Sequence, residues 1–174
     1  MRRFVFALVV LLMPLAAAAQ TPAPRATIAA GLRTAACSVK LEEAMKEIGD
    51  VEDLGNGLKF VTVPCWKAAY NFGYILYAYD PKKPNSARLL RFQVWDKTAL
   101  KWQYALGLPS YDADTKRLRS FYKGRGIGDC GSAGAWLWNG KEFVLESYWL
   151  KVDCDGDLFD PEEVPDKWRV FPRR

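Results

Sequence analysis

The residues best suited to chemistry lie in one glycine-rich stretch from Gly124 to Gly131, which reads GRGIGDCG. Because glycine has no Cβ, it adopts positive φ angles easily, and this spacing predicts a tight loop with accessible backbone amides. Consecutive amides can form a nest that binds an anion, and Arg125 would add positive charge to it. The alternative is a structural turn in which Arg125 simply pairs with Asp129.

Basic and aromatic residues flank this loop and complete a candidate binding surface. Lys123 precedes the first glycine, and Trp136 and Trp138 follow at alternate positions of a strand-like run. Tryptophan combines a large apolar ring with one polar N–H group, a combination suited to contact surfaces. We therefore predict that a ligand or partner contacts Lys123, Arg125, Asp129, Trp136 and Trp138.

Several catalytic arrangements are excluded by residue type. The chain has no histidine, so Ser-His and Cys-His catalysis, His-ligated metals and imidazole pH switches are ruled out. The run from Gly126 to Gly131 matches the dinucleotide fingerprint G-x-G-x-x-G, but no helix pattern follows it, so we interpret the match as accidental. Ser132 directly follows a glycine and does not fit the nucleophile elbow G-x-S-x-G. A carboxylate pair that hydrolyses glycosides stays open, because the chain has twenty Asp and Glu residues.

A second group of candidate ligands lies near the C-terminus. Asp153, Asp155 and Asp157 alternate along the chain, and Asp160, Glu162 and Glu163 follow. Clustered carboxylates are the hard oxygen ligands that calcium prefers, and D-x-D-x-D is how an EF-hand loop begins. The glycine and the final glutamate of an EF-hand are not at their required positions. A solvated acidic turn is therefore the favoured interpretation, with a calcium-stabilised structural domain as an alternative.

Four cysteines, Cys37, Cys65, Cys130 and Cys154, predict two disulfides in an exported chain, with three possible pairings. We favour sequential pairing. If Asn139-Gly140 turns a hairpin, the chain before and after it runs antiparallel, which brings Cys130 and Cys154 to the same end. A zinc site is disfavoured, since no C-x-x-C spacing occurs.

The N-terminus predicts export. Arg2 and Arg3 precede an apolar run that ends in Ala17-Ala18-Ala19, as in a secretory signal peptide over residues 1–19. The run is shorter than the ~20 residues of a membrane span, so we expect no span after cleavage near Ala19. The protein would then be periplasmic or secreted. Losing the two arginines lowers the formal charge from +5 to +3, which gives nucleic-acid binding no support.

The remaining chain predicts one domain over residues 37–174, preceded by a flexible lead-in over residues 20–36 that is rich in Pro and Ala. Apolar residues at helical spacing predict one short helix between Val39 and Ile48. Short runs rich in aromatic and β-branched residues then alternate with turn residues. The predicted strands are Leu58–Val63, Gly73–Tyr79, Arg88–Trp95, Lys101–Leu106, Leu118–Lys123, Ala135–Trp138 and Glu142–Leu150. This pattern indicates a mainly β fold: an antiparallel domain, as a meander, sandwich or barrel, with one N-terminal helix and two disulfides.

Two motifs together resemble a known family. Val63-Pro64-Cys65 leads to Ala69-Tyr70-Asn71, and the loop from Gly124 to Gly131 is followed by Trp136, Trp138, Gly140, Phe143, Leu145, Cys154 and Gly156. This arrangement, spanning Leu58 to Trp168, is similar to the DUF1176 family of exported bacterial proteins, whose function is unknown. The resemblance implies export and no particular catalytic residue. Family members tend to be longer, so this chain looks like their C-terminal part.

The sequence as a whole favours a non-enzymatic binding module for an envelope protein or a glycan. The size, predicted export and cysteine use resemble those of periplasmic lysozyme inhibitors, so a role of that kind is one form of this hypothesis. A carboxylate-dependent envelope hydrolase is the competing class. Two carboxylates facing each other across a deep cleft would favour the hydrolase.

Overall fold

A computed structural model describes residues 23–83, 85–96, 98–158 and 164–172. The proposed signal peptide, and with it the cleavage position, lies outside the described residues, as do Asp160, Glu162 and Glu163. The fold is mainly antiparallel β, with two short helices and two disulfides, which confirms the predicted class. Neither helix has the length and apolar character needed to cross a bilayer.

Twelve strands are present in the described chain. They are β1 (Val51–Gly55), β2 (Leu58–Lys67), β3 (Phe72–Tyr79), β4 (Arg88–Leu89), β5 (Phe92–Asp96), β6 (Ala99–Gln103), β7 (Ala105–Gly107), β8 (Ser110–Asp112), β9 (Arg117–Lys123), β10 (Gly131–Trp138), β11 (Phe143–Lys151) and β12 (Arg169–Phe171). All seven predicted strands are found, but two of them are divided: the one predicted over Arg88–Trp95 into β4 and β5, and the one predicted over Lys101–Leu106 into β6 and β7.

The strands form three antiparallel sheets. The first has the order β1-β2-β3-β4, with β7 also paired to β3. The second is the β5-β6 hairpin, and the third has the order β12-β11-β10-β9-β8. The hairpin of β10 and β11 turns at Asn139, whose side-chain Oδ1 accepts hydrogen bonds from the backbone N–H groups of Lys141 and Glu142 at 2.9 and 2.8 Å. The predicted Asn-Gly hairpin is thereby confirmed, with a four-residue loop.

Two helices cover one face of the first sheet, α1 (Arg25–Thr34) and α2 (Leu41–Lys46). The second lies inside the predicted helix. The first corrects the expected flexible lead-in: Ile28 and Leu32, one helical turn apart, are buried against the sheet. Two apolar contacts one turn apart hold a short helix that its own propensity would not sustain. The N-terminal part of the domain therefore has two helices, not one.

Three apolar clusters fill the spaces between these layers. The first sheet packs α1 and α2 on one face through Val61, Val63, Ile75 and Tyr77. Its other face packs on the second and third sheets around Phe60, Phe92, Trp136 and Phe143, whose rings meet mostly edge to face. Behind the third sheet, the C-terminal segment with a single 3-10 turn (Asp166–Trp168) covers Phe121 and Ala133.

The disulfides pair sequentially, Cys37 with Cys65 and Cys130 with Cys154, as predicted. Their Cα atoms are 4.6 and 4.8 Å apart. The first ties the segment after α1 to β2 of the first sheet. The second ties the start of β10 to the segment after β11, because these two strands pair from Gly131 with Lys151 onward.

Candidate functional site

The glycine-rich loop predicted as the contact surface joins β9 to β10. Its ends are closed by a hydrogen bond from the N–H of Gly124 to the carbonyl of Cys130, at 2.8 Å. Gly128 and Gly131 have φ angles of 77° and 143°, the region that glycine adopts most readily. A Cβ on Gly131 would also overlap the carbonyl oxygen of Tyr122. These glycines are therefore required by the turn itself.

Arg125 and Asp129 in this loop bind each other. Arg125 donates from Nε to Asp129 Oδ1 at 2.7 Å and from its terminal nitrogen to Oδ2. The Asp129 carboxylate also accepts the backbone N–H of Gly156 at 2.8 Å, and Arg125 reaches the carbonyl of Cys154 at 3.1 Å. The Arg125 guanidinium, followed by the Gly156 amide, holds the pKa of Asp129 well below its usual range.

This pairing forms a latch between the loop and the segment after β11. The Asp129 side chain is 0% exposed, so its carboxylate has no free surface for a ligand. The neighbouring disulfide joins the same two segments through Cys130 and Cys154. The sulfur atoms lie close to the Asp129 carboxylate, but in a disulfide they offer no thiolate to a metal. The loop's interaction with an outside partner stays a prediction, carried only by the half-exposed Arg125.

Lys123 takes part in a connection that the sequence did not reveal. Asn71, only 2% exposed, donates from Nδ2 to the Lys123 carbonyl and accepts the Lys123 N–H at Oδ1, both at 2.9 Å. The asparagine amide thus imitates a neighbouring strand and joins the turn between β2 and β3 to the end of β9. The only signal in the sequence was an Asn in a short Tyr-Asn-Phe-Gly turn.

Trp136 and Trp138 lie in the core, which corrects the assignment of Trp138 to an exposed contact surface, whereas Trp136 still lines a cleft. Both are buried on the inner face of β10, and Trp136 donates from Nε1 to the Gln93 carbonyl at 2.9 Å. Trp138 packs on Phe143 and under the Arg88 guanidinium. Their alternate spacing does place them on one face of a strand, but that face is the one turned toward the other sheets.

The acidic turn after β11 is built around a lysine. Lys151 is 2% exposed and donates from Nζ to Asp155 Oδ1 at 2.5 Å and to the Asp157 carbonyl at 2.7 Å. The Lys151 ammonium lowers the pKa of Asp155. Asp153 is exposed. An internal cation therefore already uses one carboxylate oxygen of Asp155 and the backbone carbonyl of Asp157, whereas the Asp157 carboxylate takes no part in these two bonds.

A cleft of about 480 Å³ lies where the three sheets and the end of α1 meet. Its volume lies within the ~300–1,000 Å³ typical of ligand sites. We call it the inter-sheet cleft; its walls are Thr34, Ala35, Ala36, Trp66, Val94, Gln103, Tyr104, Ala105, Leu106, Gly107, Ser120, Tyr122, Ser132, Gly134, Trp136 and Tyr148. No single motif contains this set, so sequence reasoning missed it.

Small residues on the strands keep the cleft open. Gly107, Ser120, Ser132 and Gly134 line it where larger residues would fill it. The indole ring of Trp136 lies over Gly134, where a Cβ would overlap it. A glycine inside a strand weakens the strand and often marks close approach by another group. Here it makes room for a ring at the base of the cleft.

The polar groups of the cleft are neutral. Tyr148 donates from its hydroxyl to Ser132 Oγ at 3.2 Å, Ser120 donates to the Gly107 carbonyl at 2.7 Å, and Gln103 donates to the Ala105 carbonyl at 2.8 Å. Burial raises the pKa of Tyr148, which keeps its hydroxyl protonated. Among the described lining residues there is no carboxylate, lysine or arginine.

Two aromatic rings stand at one side of the cleft. Trp66 and Tyr122 meet at 6.1 Å between ring centres in an edge arrangement. Tyr122 is 48% exposed. The Trp66 ring lies against Gly73 of β3, at a position that a Cβ on Gly73 would occupy. The absence of a side chain at residue 73 therefore lets the Trp66 ring pack against β3.

The backbone next to the cleft adopts rare conformations. Ala36, a wall residue, has a φ of 51°, and Leu108, next to the wall residue Gly107, has a φ of 41°. Non-glycine residues with positive φ are uncommon, and a bulky residue such as leucine is a clear outlier. Such strain persists where surrounding structure imposes it, and it concentrates at ligand sites.

A smaller hollow of about 280 Å³ lies between β1 and β8 and contains two carboxylate residues. Asp50 and Glu52 are at alternate positions at the start of β1, and Ser110 and Tyr111 face them from β8. This hollow is the place in the described structure where the carboxylate-hydrolase hypothesis can be tested.

Comparison with known proteins adds family membership. A family model for a protein of unknown function, DUF1176, matches residues 10–170. Uncharacterized protein YpfG of Escherichia coli strain K12 is 27% identical over 139 residues, and these cover 79% of this chain but 38% of YpfG. The chain thus spans well under half the length of this relative. No solved structure matches. Because the family model covers nearly the whole sequence, the chain belongs to the DUF1176 family.

Proposed function

We propose that this chain is an exported, non-enzymatic binding module of the cell envelope, and that the inter-sheet cleft is its binding site. The single observation that carries the proposal is a cleft of about 480 Å³ whose described walls combine aromatic rings, aliphatic residues and neutral hydroxyl and amide groups, without a carboxylate or a cation. Burying a charge without a partner is costly, so this lining favours an uncharged ligand.

The cleft favours binding over hydrolysis. Glycoside hydrolysis by carboxylates needs two of them on opposite sides of the reacting bond, ~5–9.5 Å apart. The described walls of the inter-sheet cleft supply neither. A concave, aromatic-lined site also fits a glycan or another small uncharged molecule of the envelope better than the flat face of a protein.

The glycine-rich loop has a different role in this proposal. The Asp129 carboxylate accepts hydrogen bonds from Arg125 and from the Gly156 amide. The loop therefore holds the third sheet together near Tyr122 and Ser132 and does not contact the ligand. A lysozyme-inhibitor role would instead require the exposed part of this loop. Arg125→Ala, checked for folding by circular dichroism, tests that role, because lysozyme inhibition should be lost if the exposed guanidinium makes the contact.

The proposal is tested with two matched serine variants. Ser132→Leu places a bulky side chain in the inter-sheet cleft, and Ser110→Leu does the same in the hollow of Asp50 and Glu52. The protein, purified as the cell processes it, is equilibrated with small molecules from a bacterial envelope extract, and native mass spectrometry identifies what is retained. Circular dichroism checks that each variant is folded.

We expect wild type and Ser110→Leu to retain the same uncharged compound with its mass unchanged, and Ser132→Leu to lose it. Equal retention by all three proteins, or by none, would overturn the assignment of the cleft. If the protein cleaves a compound and only the Ser110→Leu substitution stops that cleavage, the hydrolase alternative would be established. Export is checked separately: the protein in the periplasmic or culture fraction should begin near Gln20.

A further inference from the structure

Trp66 is the one described residue that lines two cavities. It forms part of the inter-sheet cleft, and it also lines a hollow of about 170 Å³ with Glu47, Pro64, Lys67, Phe72, Gly73 and Tyr74. The two cavities therefore adjoin each other at the Trp66 ring. This shared ring makes the two cavities candidate subsites of one extended site.

Lys67 does not give the second hollow a net positive charge. Lys67 donates to Glu43 at 2.6 Å and lies 3.1 Å from a carboxylate oxygen of Glu47. These two carboxylates raise the pKa of Lys67, and their two negative charges exceed its single positive charge. Phe72, 42% exposed, supplies a further aromatic ring beside the hollow.

We propose that the ligand is a linear, uncharged oligosaccharide that crosses Trp66, with one sugar unit in the inter-sheet cleft and the next in the second hollow. This inference rests on the proposed function and names its ligand class. A pyranose ring has an apolar C–H face and a rim of hydroxyl groups. The Trp66 and Tyr122 rings match the first of these features, and the hydroxyl and amide groups of the cleft match the second.

Other ligand classes fit the walls less well. Ser132 and Gln103 each make one internal hydrogen bond and keep further donor and acceptor capacity, which a fatty acyl chain would cover without offering hydrogen bonds. An anionic ligand would meet no lysine or arginine among the described residues of the cleft. A neutral sugar can pair with each polar group through its own hydroxyls.

The position of Trp66 gives the proposal a length dependence. A monosaccharide occupies one cavity, whereas a disaccharide or longer chain also stacks on the ring between them. Aromatic contacts of this kind contribute about 0.5–1.5 kcal/mol beyond the area they bury, which corresponds to up to about tenfold in affinity. Additional units beyond the second hollow would add little.

The experiment is isothermal titration calorimetry of the processed protein with β-glucan, α-glucan and N-acetylglucosamine oligomers of one to four units. We expect saturable binding of one series, about tenfold tighter for the dimer or trimer than for the monomer. Trp66→Ala should remove that gain and Trp66→Phe should restore part of it. Trp102→Ala is the control, because Trp102 is 49% exposed on β6 and lines neither cavity.

The outcomes separate the two proposals. If no sugar series binds at concentrations up to about 10 mM, while Ser132→Leu still abolishes retention of another envelope compound, the saccharide inference falls and the proposed function stands. If the protein binds the monosaccharide and the trisaccharide with equal affinity, and Trp66→Ala changes neither affinity, the proposal that the ligand crosses Trp66 would also be overturned. If Ser132→Leu changes nothing in either experiment, both proposals fall.

Discussion

Tyr77 of β3 lies directly beneath Gly31 of α1, so close that a Cβ atom on residue 31 would overlap the tyrosine hydroxyl. The same hydroxyl donates to the carbonyl of Thr27, one turn earlier, at 3.1 Å. A glycine in mid-helix and a buried tyrosine thus form one docking contact between α1 and the first sheet. This contact holds the end of α1, which forms one wall of the inter-sheet cleft, in place.

Replacing Gly31 with alanine should destabilise the protein. The usual effect of Gly→Ala inside a helix is a gain of about 0.5–1 kcal/mol, but here the added methyl group must displace Tyr77. We expect a loss of about 1–3 kcal/mol in the free energy of unfolding, as for an overpacked core site. Chemical denaturation measures it, and Gly31→Ala with Tyr77→Phe should recover part of the loss. A more stable Gly31→Ala protein would contradict the contact.

Tyr77 should make stability fall at high pH. Burial raises the pKa of Tyr77 to about 12, whereas an unfolded tyrosine titrates near ~10. A raised pKa contributes stability that is complete below pH ~10 and is lost as the pH rises toward 12, because only the unfolded chain ionises easily. The loss is on the order of 2–3 kcal/mol. Denaturation from pH 9 to 12 should show a flatter profile for Tyr77→Phe than for wild type; parallel profiles would refute this role.

The latch should respond to acid. Arg125 lowers the pKa of Asp129, so its contribution is complete above the ordinary aspartate pKa of ~3.9 and is lost as the pH falls below it. Asp129→Asn should lower the melting midpoint at pH 7 by several degrees and should lose less further stability between pH 4 and 2 than wild type. Asp153→Asn, at an exposed aspartate, is the control. Equal effects of the two substitutions would show that the latch contributes nothing.

The two disulfides should differ in their effect on ligand binding. Each closes a loop of similar length, with separations of 28 and 24 residues, so loss of either should cost about 3 kcal/mol of stability. Only the Cys37–Cys65 disulfide has cleft residues directly beside it in the chain: Ala36 precedes Cys37, and Trp66 follows Cys65. In ligand titrations we expect Cys37→Ser with Cys65→Ser to weaken binding more than Cys130→Ser with Cys154→Ser. The reverse order would contradict the cleft assignment.

Calcium should leave the melting midpoint unchanged, because Lys151 already holds a carboxylate oxygen of Asp155 and the backbone carbonyl oxygen of Asp157. Differential scanning fluorimetry with calcium and with a chelator checks this. A calcium-dependent rise of several degrees would revive the calcium-stabilised alternative. Lys151→Met tests the cause, since it removes the internal cation while keeping most of the side-chain volume.

The sequence predicted the positions of the strands better than it predicted which face of each strand is buried. Aromatic alternation located β10 and Asn139-Gly140 located its hairpin, and the hairpin in turn gave the Cys130–Cys154 pairing. Alternation does not say which face of a strand is covered, so Trp138, which is buried in the core, was assigned to the contact surface. Helix α1 was missed because two apolar residues in an Ala-rich run carry little periodicity before packing supplies the rest.

The candidate site illustrates the same limit. Glycine spacing correctly indicated a tight loop at Gly124 to Gly131, and Arg125 with Asp129 was one of two readings that the residues allowed. The inter-sheet cleft, by contrast, is defined by small residues on separate strands, such as Gly107 and Ser132. Each is unremarkable in its own segment. Only the sheet topology brings them to one place.

The walls of the inter-sheet cleft come from segments between Thr34 and Tyr148, which spans most of the described chain. Contacts so distant in sequence close large loops, and such contacts form late and slowly in folding. The cleft therefore exists only when all three sheets have docked. A molecule that binds there would recognise the finished domain and no partly folded precursor, and it would shift the folding equilibrium of the whole chain toward completion.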